Sequence, residues 1–264
     1  AGDNNTAIGS GSLGSLTTGS KNTALGNTAL LSSTTGSQNT GVGFDSLRTI
    51  TTASFNTAMG HQALRNNTAS NNTAVGFQAL TTNTTGSGLT ALGYGALLLN
   101  TSGSENTAIG RNALDANTTG ASNTAVGRDS LGANTTASFN SAFGFNALKA
   151  NTTGANNTAV GEGAMEVNIG GSFNTAMGVS ALDANISGAN NVALGTYSLS
   201  ANTTASQNTA VGYSALNANT TATNNTAVGF NAGLSITEGH TNTLIGSEAG
   251  DALTTGDENV AVGH

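Results

Sequence analysis

The sequence repeats itself every 17 residues along its whole length, apart from one interval of 16 between Gly60 and Gly76. The segment NTAVGFQALTTNTTGSG at residues 72–88 recurs in similar form as NTAIGRNALDANTTGAS at residues 106–122. A fixed short period predicts a solenoid, because one such unit is too small to bury a core and must stack on its neighbours. We therefore expect one repeat-array domain over residues 1–264. The marker of each repeat is the glycine that closes its N-T-A-x-G segment: Gly9, Gly26, Gly43, Gly60, Gly76, Gly93, Gly110, Gly127, Gly144, Gly161, Gly178, Gly195, Gly212, Gly229, Gly246 and Gly263.

The spacing of the apolar residues within one repeat, or coil, is typical of a β-strand. We number each coil from the Asn of N-T-A-x-G, so that coil 1 begins at Asn5 and the marker glycine is position 5. Position 2 is usually Thr but becomes Val192 and Val260, which predicts that positions 2 and 4 face a core and the small position 3 faces outward. Position 13 is usually Thr but becomes Ile169 and Ile186, so it too is predicted to face inward. Position 4 is apolar in every coil: Ile8, Leu25, Val42, Met59, Val75, Leu92, Ile109, Val126, Phe143, Val160, Met177, Leu194, Val211, Val228, Ile245 and Val262.

Glycine at position 5 of every coil predicts a bend with a positive φ or a close approach of two backbones. A short apolar unit follows, with Ala or Ser at position 8 and Leu at position 9 in most coils, and then a polar turn such as N-T-T-G. The chain contains no proline, as expected if the N–H groups of each coil pair with the next coil. These features together predict an all-β protein, a parallel β-solenoid of about sixteen 17-residue coils.

Asparagine recurs at two positions of the coil. Position 1 is Asn except at Leu89, and position 12 is Asn in ten consecutive coils from Asn67 to Asn219. Identical side chains in successive coils lie above one another, so these amides are predicted to hydrogen-bond in ladders along the solenoid. Many of these residues also match the N-x-[ST] glycosylation signal, which is the alternative interpretation.

The composition argues against several classes of function. Charged residues make up 7% of the chain, and 13 acidic residues outnumber 6 basic ones, so we expect no nucleic-acid partner and no binding to anionic membranes. No apolar run is long enough to span a bilayer. Cysteine is absent, which excludes disulfides and thiolate metal ligands.

No constellation of residues predicts catalysis, a cofactor or a metal. Glu162 and Glu166 are an acid pair of the kind that a glycosidase needs, but solvated surface acids are the simpler interpretation. The three histidines, His61, His240 and His264, are separated by many coils. We therefore predict that the protein is not an enzyme.

Two surface columns have functional interpretations. Threonine at position 14 forms one column, for which ice binding is the alternative function: Thr18, Thr35, Thr52, Thr85, Thr119, Thr136, Thr153, Thr204, Thr221 and Thr255. The other column is aromatic, at position 6, and is predicted either to bind sugar rings or a partner surface, or to cover the glycine bend or pack between chains. Its members are Phe44, Phe77, Tyr94, Phe145, Tyr213 and Phe230.

The N-T-A-V-G core resembles the head repeats of YadA-like trimeric autotransporter adhesins, and related arrays resemble bacteriophage tail-fibre shafts and other bacterial surface proteins. The motif stands here as NTAIG at residues 106–110, NVALG at residues 191–195 and NVAVG at residues 259–263. This resemblance implies a left-handed parallel β-roll in which three chains pack side by side as a stiff extracellular stalk or head. Small residues such as Ala74 and Ala79 would permit close contact between chains, and they would suit a tightly wound single chain equally well.

We therefore predict a structural and adhesive fibre on a cell or virus surface. Its expected partners are further copies of the chain, in a homotrimer or an end-to-end filament, and a host surface glycan or protein. Because the repeats run without a cap to both ends, the chain is also expected to be a segment of a longer fibre.

Overall fold

A computed structural model describes residues 2–264 of the chain, and it is all-β. The chain forms a β-solenoid of about 15 turns, built on sixteen parallel strands, which confirms the predicted fold class. Each strand is three residues long and occupies positions 2 to 4 of its coil. The strands are β1 (Thr6–Ile8), β2 (Thr23–Leu25), β3 (Thr40–Val42), β4 (Thr57–Met59), β5 (Thr73–Val75), β6 (Thr90–Leu92), β7 (Thr107–Ile109), β8 (Thr124–Val126), β9 (Ser141–Phe143), β10 (Thr158–Val160), β11 (Thr175–Met177), β12 (Val192–Leu194), β13 (Thr209–Val211), β14 (Thr226–Val228), β15 (Thr243–Ile245) and β16 (Val260–Val262).

The chain divides into two compact units. The first runs to Asp129 and includes Ala133–Thr136, and the second comprises Ser130–Gly132 and Ala137–His264. Strands β1 to β8 of the first unit pair in parallel, each with the next along the chain, and strands β9 to β16 of the second unit do the same. Each coil position pairs with the same position of the next coil, as in Thr6 with Thr23. Identical positions therefore form columns within each unit.

The core is formed by different positions from those that the sequence predicts. Alanine at position 3 is fully buried in coils 2 to 14, for example Ala74 and Ala91, whereas position 4 is exposed or half-buried in every coil and position 2 is never fully buried. The prediction that positions 2 and 4 face the core is therefore wrong, from Ile8 and Leu25 through to Val262. Where position 9 is leucine, the interior beside the strand has no room for a large side chain: a Cβ at Gly41, which occupies position 3, would lie 3.0 Å from Ser46 Oγ and 3.4 Å from Leu30 Cγ. Leu244 is fully buried at position 3 because the nearby position 9 residues are Gly233 and Gly250.

The prediction for position 13 is also wrong, because Ile169 and Ile186 are exposed instead of buried. Of the two interpretations of Ala74 and Ala79, their complete burial within their own coils supports the tightly wound chain, and neither side chain is available to contact another chain. The packing volume inside each coil comes mainly from Ala or Ser at position 8 and Leu at position 9.

The coil turns through residues in the left-handed backbone region. The marker glycines have φ between 126° and 145°, as predicted. Leucine at position 9 is also left-handed, with φ of 52° at Leu97, and its side chain is fully buried. A left-handed conformation costs a residue with a Cβ about 1 kcal/mol. Burial of a leucine side chain contributes about 2 kcal/mol, which offsets that cost.

Candidate interaction surfaces

Two columns of asparagine amides run inside the coils and take no part in outside contacts. At position 12, Asn117 Nδ2 donates to Asn100 Oδ1 over 2.8 Å and to the Gly120 carbonyl over 3.0 Å. At position 1, Asn22 Nδ2 donates to the Gly36 carbonyl, and Asn22 Oδ1 accepts the N–H of Asn39. These ladders confirm the predicted stacking. Because Asn117 and its neighbours in the position 12 column are fully buried, their glycosylation signals are inaccessible in the folded chain.

Two further columns bond neighbouring coils at the polar turn. Threonine hydroxyls at position 13 donate to the carbonyl of the next coil, as Thr101 does to Thr118 over 3.0 Å. Serine hydroxyls at position 16 accept a backbone N–H, as Ser37 does from Ser20. The position 14 threonines proposed for ice binding, Thr18 among them, are exposed as predicted, but they lie in bends and not in a flat strand.

The outward side of the strands presents an apolar column in each unit. We define the strand face as the side chains at positions 2 and 4 of strands β1 to β8 in the first unit and β9 to β16 in the second. Position 2 contributes mostly threonine methyl and hydroxyl groups, and position 4 contributes only apolar side chains. Leu92 in β6 is 47% exposed and Met177 in β11 is 46% exposed. No charged residue belongs to the strand face.

The aromatic column at position 6 forms stacks instead of a row of separate rings. Phe44, His61, Phe77 and Tyr94 stack with ring centroids 5.0–5.3 Å apart and interplanar angles of 7–18°. Rings in the middle of this stack have a neighbour against each face, so they present edges to solvent. The sequence interpretation missed His61, although its place in the same column between two phenylalanines is a sufficient signal.

The other predicted aromatic residues lie in the second unit. Tyr213 and Phe230 stack with centroids 5.6 Å apart, and Tyr197 meets Tyr213 edge to face. Phe145 is half-buried. The structure thus brings five of the six predicted residues into two stacks, each of which includes one ring that the sequence interpretation left out.

A second set of aromatic residues was missed by the sequence interpretation. Phe55, Phe139 and Phe173 occupy position 17, just before the position 1 Asn, and are 58%, 61% and 61% exposed. Their φ angles are 63°, 62° and 60°. Unlike the position 9 leucines, which share this backbone region but are buried, these three large side chains are exposed.

The charged residues make local contacts. Buried Asp45 accepts from Thr28 Oγ1 over 2.6 Å and pairs with Arg65 Nε at 3.2 Å and Arg48 Nε at 3.5 Å. His240 Nδ1 accepts the N–H of Thr223 over 2.9 Å. Within residues 2–264, no group of three or more acidic, histidine or cysteine side chains is placed to hold a metal ion.

Burial raises the pKa of Asp183, and the nearby charge of Glu166 raises it further, whereas backbone hydrogen bonds lower it. One of its buried carboxylate oxygens, Oδ1, has no hydrogen-bond partner among the described residues. Because the folded chain holds this proton to higher pH than the unfolded chain, stability falls as pH rises from the ordinary aspartate pKa through the raised one.

Asp183→Asn is therefore expected to raise the free energy of unfolding at pH 7, and with it the melting temperature; the gain should be no more than about 1 kcal/mol because the carboxylate is half-exposed and screened. The gain should fade below the raised pKa, where the wild-type carboxyl is protonated. Thermal unfolding, monitored by circular dichroism from pH 3 to pH 8, measures the melting temperatures of the wild type and the variant. Asp251→Asn, at the same coil position but exposed, is the control and should change little; equal effects of the two substitutions at pH 7 would contradict the explanation.

The fold and its surfaces define the class of the protein as a β-solenoid repeat protein. No model of a known protein family matches the chain, and no curated protein matches it either. The resemblance to YadA-like head repeats stays a prediction. No helix that could cross a membrane occurs in the part of the chain from residue 2 onward.

Proposed function

We propose that the protein is a structural and adhesive fibre element whose strand face associates with further copies of the same chain. The observation that carries this proposal is the outward apolar column at position 4. Monomeric soluble proteins rarely expose long contiguous apolar surfaces, and those that do commonly bury them against a partner.

The regular spacing of the strand face supports a second copy as its partner. Its side chains recur once per coil, at about 4.8 Å, which is the spacing of hydrogen-bonded strands. Only a surface with the same repeat can match such a column over many coils without losing register. The lack of charge on the strand face removes electrostatic repulsion between identical copies.

Stiffness is the property that such an assembly supplies. Within each unit, every coil is bonded to the next through the parallel strands and through the asparagine, threonine and serine columns. Bending would stretch several of these hydrogen bonds at every coil. We place the assembly outside the cell, on a cell surface or a virus particle, as a homotrimer or filament that supports attachment.

Charge placed on the strand face tests self-association. Leu92→Glu combined with Met177→Glu is expected to convert the assembly to monomers, because each carboxylate would have to be desolvated in the interface. Light scattering coupled to size-exclusion chromatography measures the mass. Both residues are already exposed in the single chain, so circular dichroism should remain that of the wild type.

Leu99→Glu combined with Val167→Glu is the matched control. These residues are similarly exposed but lie at position 11, away from the strand face, so the assembly should persist. Dissociation of both double variants, or a monomeric wild-type chain, would contradict the proposal.

Ice binding is the second candidate, and one observation favours it. The position 2 threonines pair in register from coil to coil and point outward from a strand, as Thr73 and Thr90 do. Large side chains in the adjacent column, such as Met59 and Phe143, make the strand face uneven. An ice-recrystallisation assay on the same sample separates the candidates, since a monomer that alters ice crystals would favour this one.

A further inference from the structure

We infer that the position 17 column of the second unit is a binding strip for a neutral, extended polysaccharide. The strip consists of Phe139, Asn156, Phe173, Asn190 and Gln207, one residue from each of five successive coils. It differs from the strand face and from the aromatic stacks, so it does not depend on self-association.

The two phenylalanines are the unusual members of the strip. The other described residues of this column in the second unit are Asn156, Asn190, Gln207, Asn224, Thr241 and Glu258, with φ between 58° and 63°. Asparagine tolerates this region well, whereas an aromatic residue does not. Phe139 and Phe173 are also the most exposed aromatic residues of the chain, at 61% each, so burial within the chain does not offset their conformational cost. The fold imposes this region on position 17 of every complete coil, so each phenylalanine stands where asparagine would adopt the same backbone at a lower cost.

Hydrogen bonds between neighbouring coils hold the backbone of the strip. The Phe173 N–H donates to the Ala155 carbonyl over 3.1 Å, and the Asn156 N–H donates to the Ser138 carbonyl over 3.3 Å. Unlike the rings at position 6, Phe139 and Phe173 do not stack on another aromatic ring in the described chain. Each side chain is 61% exposed, so most of its surface is accessible to a ligand.

Free amides lie between and beyond the rings. The side chains of Asn156, Asn190 and Gln207 are exposed and make no hydrogen bond to another described residue. Each amide offers two donor hydrogens and one acceptor oxygen, which suits the hydroxyl groups of a sugar. The C–H face of a pyranose is apolar and packs on an aromatic ring, so rings alternating with amides match both sides of sugar chemistry.

The absence of charge around the strip and the distance between its two rings restrict the class of ligand that it can bind. No charged residue occupies the strip or the flanking positions 16, 1 and 2 of these coils, which favours a neutral ligand over an acidic one. Phe139 and Phe173 are two coils apart, about 10 Å at the usual strand spacing. This distance is close to the length of one disaccharide unit in an extended β-1,4-linked chain, so both rings can meet equivalent sugar faces.

Isothermal titration calorimetry of the full chain with cellohexaose and with chitohexaose tests the inference. We expect at least one of them to bind with a Kd of about 1 mM or tighter, and Phe139→Asn combined with Phe173→Asn to weaken that binding about tenfold or more. Asparagine already occupies this column in neighbouring coils, so the double variant should fold, as circular dichroism verifies. Maltohexaose, whose α-1,4 linkages curve the chain, should bind more weakly.

Phe55→Asn is the matched control, because Phe55 has the same coil position, a similar φ and similar exposure but no second ring two coils away. It should change the Kd by no more than about twofold. The inference is wrong if neither β-1,4-linked hexasaccharide binds, if the double variant binds as well as the wild type, or if Phe55→Asn weakens binding equally.

The association state separates this inference from the proposed fibre function. The Phe139 and Phe173 double variant should keep the mass of the wild-type assembly, and the Leu92 and Met177 double variant should keep the affinity for the sugar. Loss of assembly in the phenylalanine variant would show that these rings pack between chains, which would overturn the glycan strip and leave self-association standing.

Discussion

Replacement of Gly93 by alanine is expected to disrupt the coils around it, at a cost of about 3 kcal/mol or more. The φ of Gly93 is 136°, outside the regions that residues with a Cβ adopt. An added Cβ would also lie 2.5 Å from the Gly110 oxygen and 2.7 Å from its carbonyl carbon, both of them backbone atoms of the next coil. Relief of that contact requires the two coils to separate, which breaks the bond from the Gly110 N–H to the Leu92 carbonyl.

Hydrogen exchange measured by mass spectrometry is the appropriate readout, because the stability of a repeat array is set locally by each coil and its neighbours. A loss of about 3 kcal/mol corresponds to a fall of roughly a hundredfold in the protection of nearby amides. Peptides from distant coils should keep their protection.

Gly88→Asn is the matched control for the glycine position. Gly88 has a φ of 67°, and the nearest atom to its added Cβ, Glu105 Cγ, lies 3.7 Å away. Asn71 already adopts this conformation at the same position of the preceding coil, with a φ of 64°. The substitution should leave protection unchanged or raise it slightly, since it also restricts the unfolded chain. Equal damage from the two substitutions would show that the marker glycines have no special role.

The period, the bend and the amide ladders could be predicted from the sequence because each depends on recurrence alone. A 17-residue spacing requires stacking whatever the handedness of the coil. A glycine at position 5 of every coil, including Gly93, indicates a backbone that excludes a Cβ. Asparagine at the same coil position in Asn100 and Asn117 predicts that the two amides meet, as they do over 2.8 Å.

The direction of the strand face could not be predicted in the same way. Period-two alternation shows that positions 2 and 4 share a side but not which side faces the interior. Hydrophobicity suggested that Leu92 and Met177 point inward. The deciding quantity is the width of the coil, which leaves space only for a small residue beside the strand wherever position 9 is leucine, and width depends on how the turns fold. Ile169 and Ile186 were misplaced for the same reason, because an apolar residue need not be buried.

The candidate sites were only partly visible in the sequence. The aromatic residues at position 6 stood out because they share a column, yet their stacking depends on side-chain geometry. Phe139 and Phe173 were missed because position 17 varies from coil to coil. Their significance comes from a high exposure at a position with a positive φ, neither of which a single sequence reveals.

The second large effect is expected for Asn185→Asp, which changes only the amide nitrogen to an oxygen. Asn185 is fully buried; its Nδ2 donates to Asn168 Oδ1 over 2.7 Å and to the Gly188 carbonyl over 3.0 Å. A carboxylate would place a negative oxygen against two acceptor oxygens in a fully buried site. An unpaired buried charge costs about 3 kcal/mol or more, so the variant should unfold at lower denaturant concentration at pH 7.

A measurement at low pH and a matched variant test whether the negative charge causes the loss of stability in Asn185→Asp. Protonation at pH 3 gives the carboxyl one O–H donor, which can serve the Asn168 oxygen, so the difference from the wild type should shrink there. Asn190→Asp makes the same change in the same coil, but at an exposed side chain without a hydrogen-bond partner, and should alter stability by no more than about 0.5 kcal/mol. Guanidinium unfolding followed by circular dichroism at both pH values measures these effects. If the variants at Asn185 and Asn190 proved equally stable at pH 7, the position 12 ladder would be a consequence of the fold and not one of its supports.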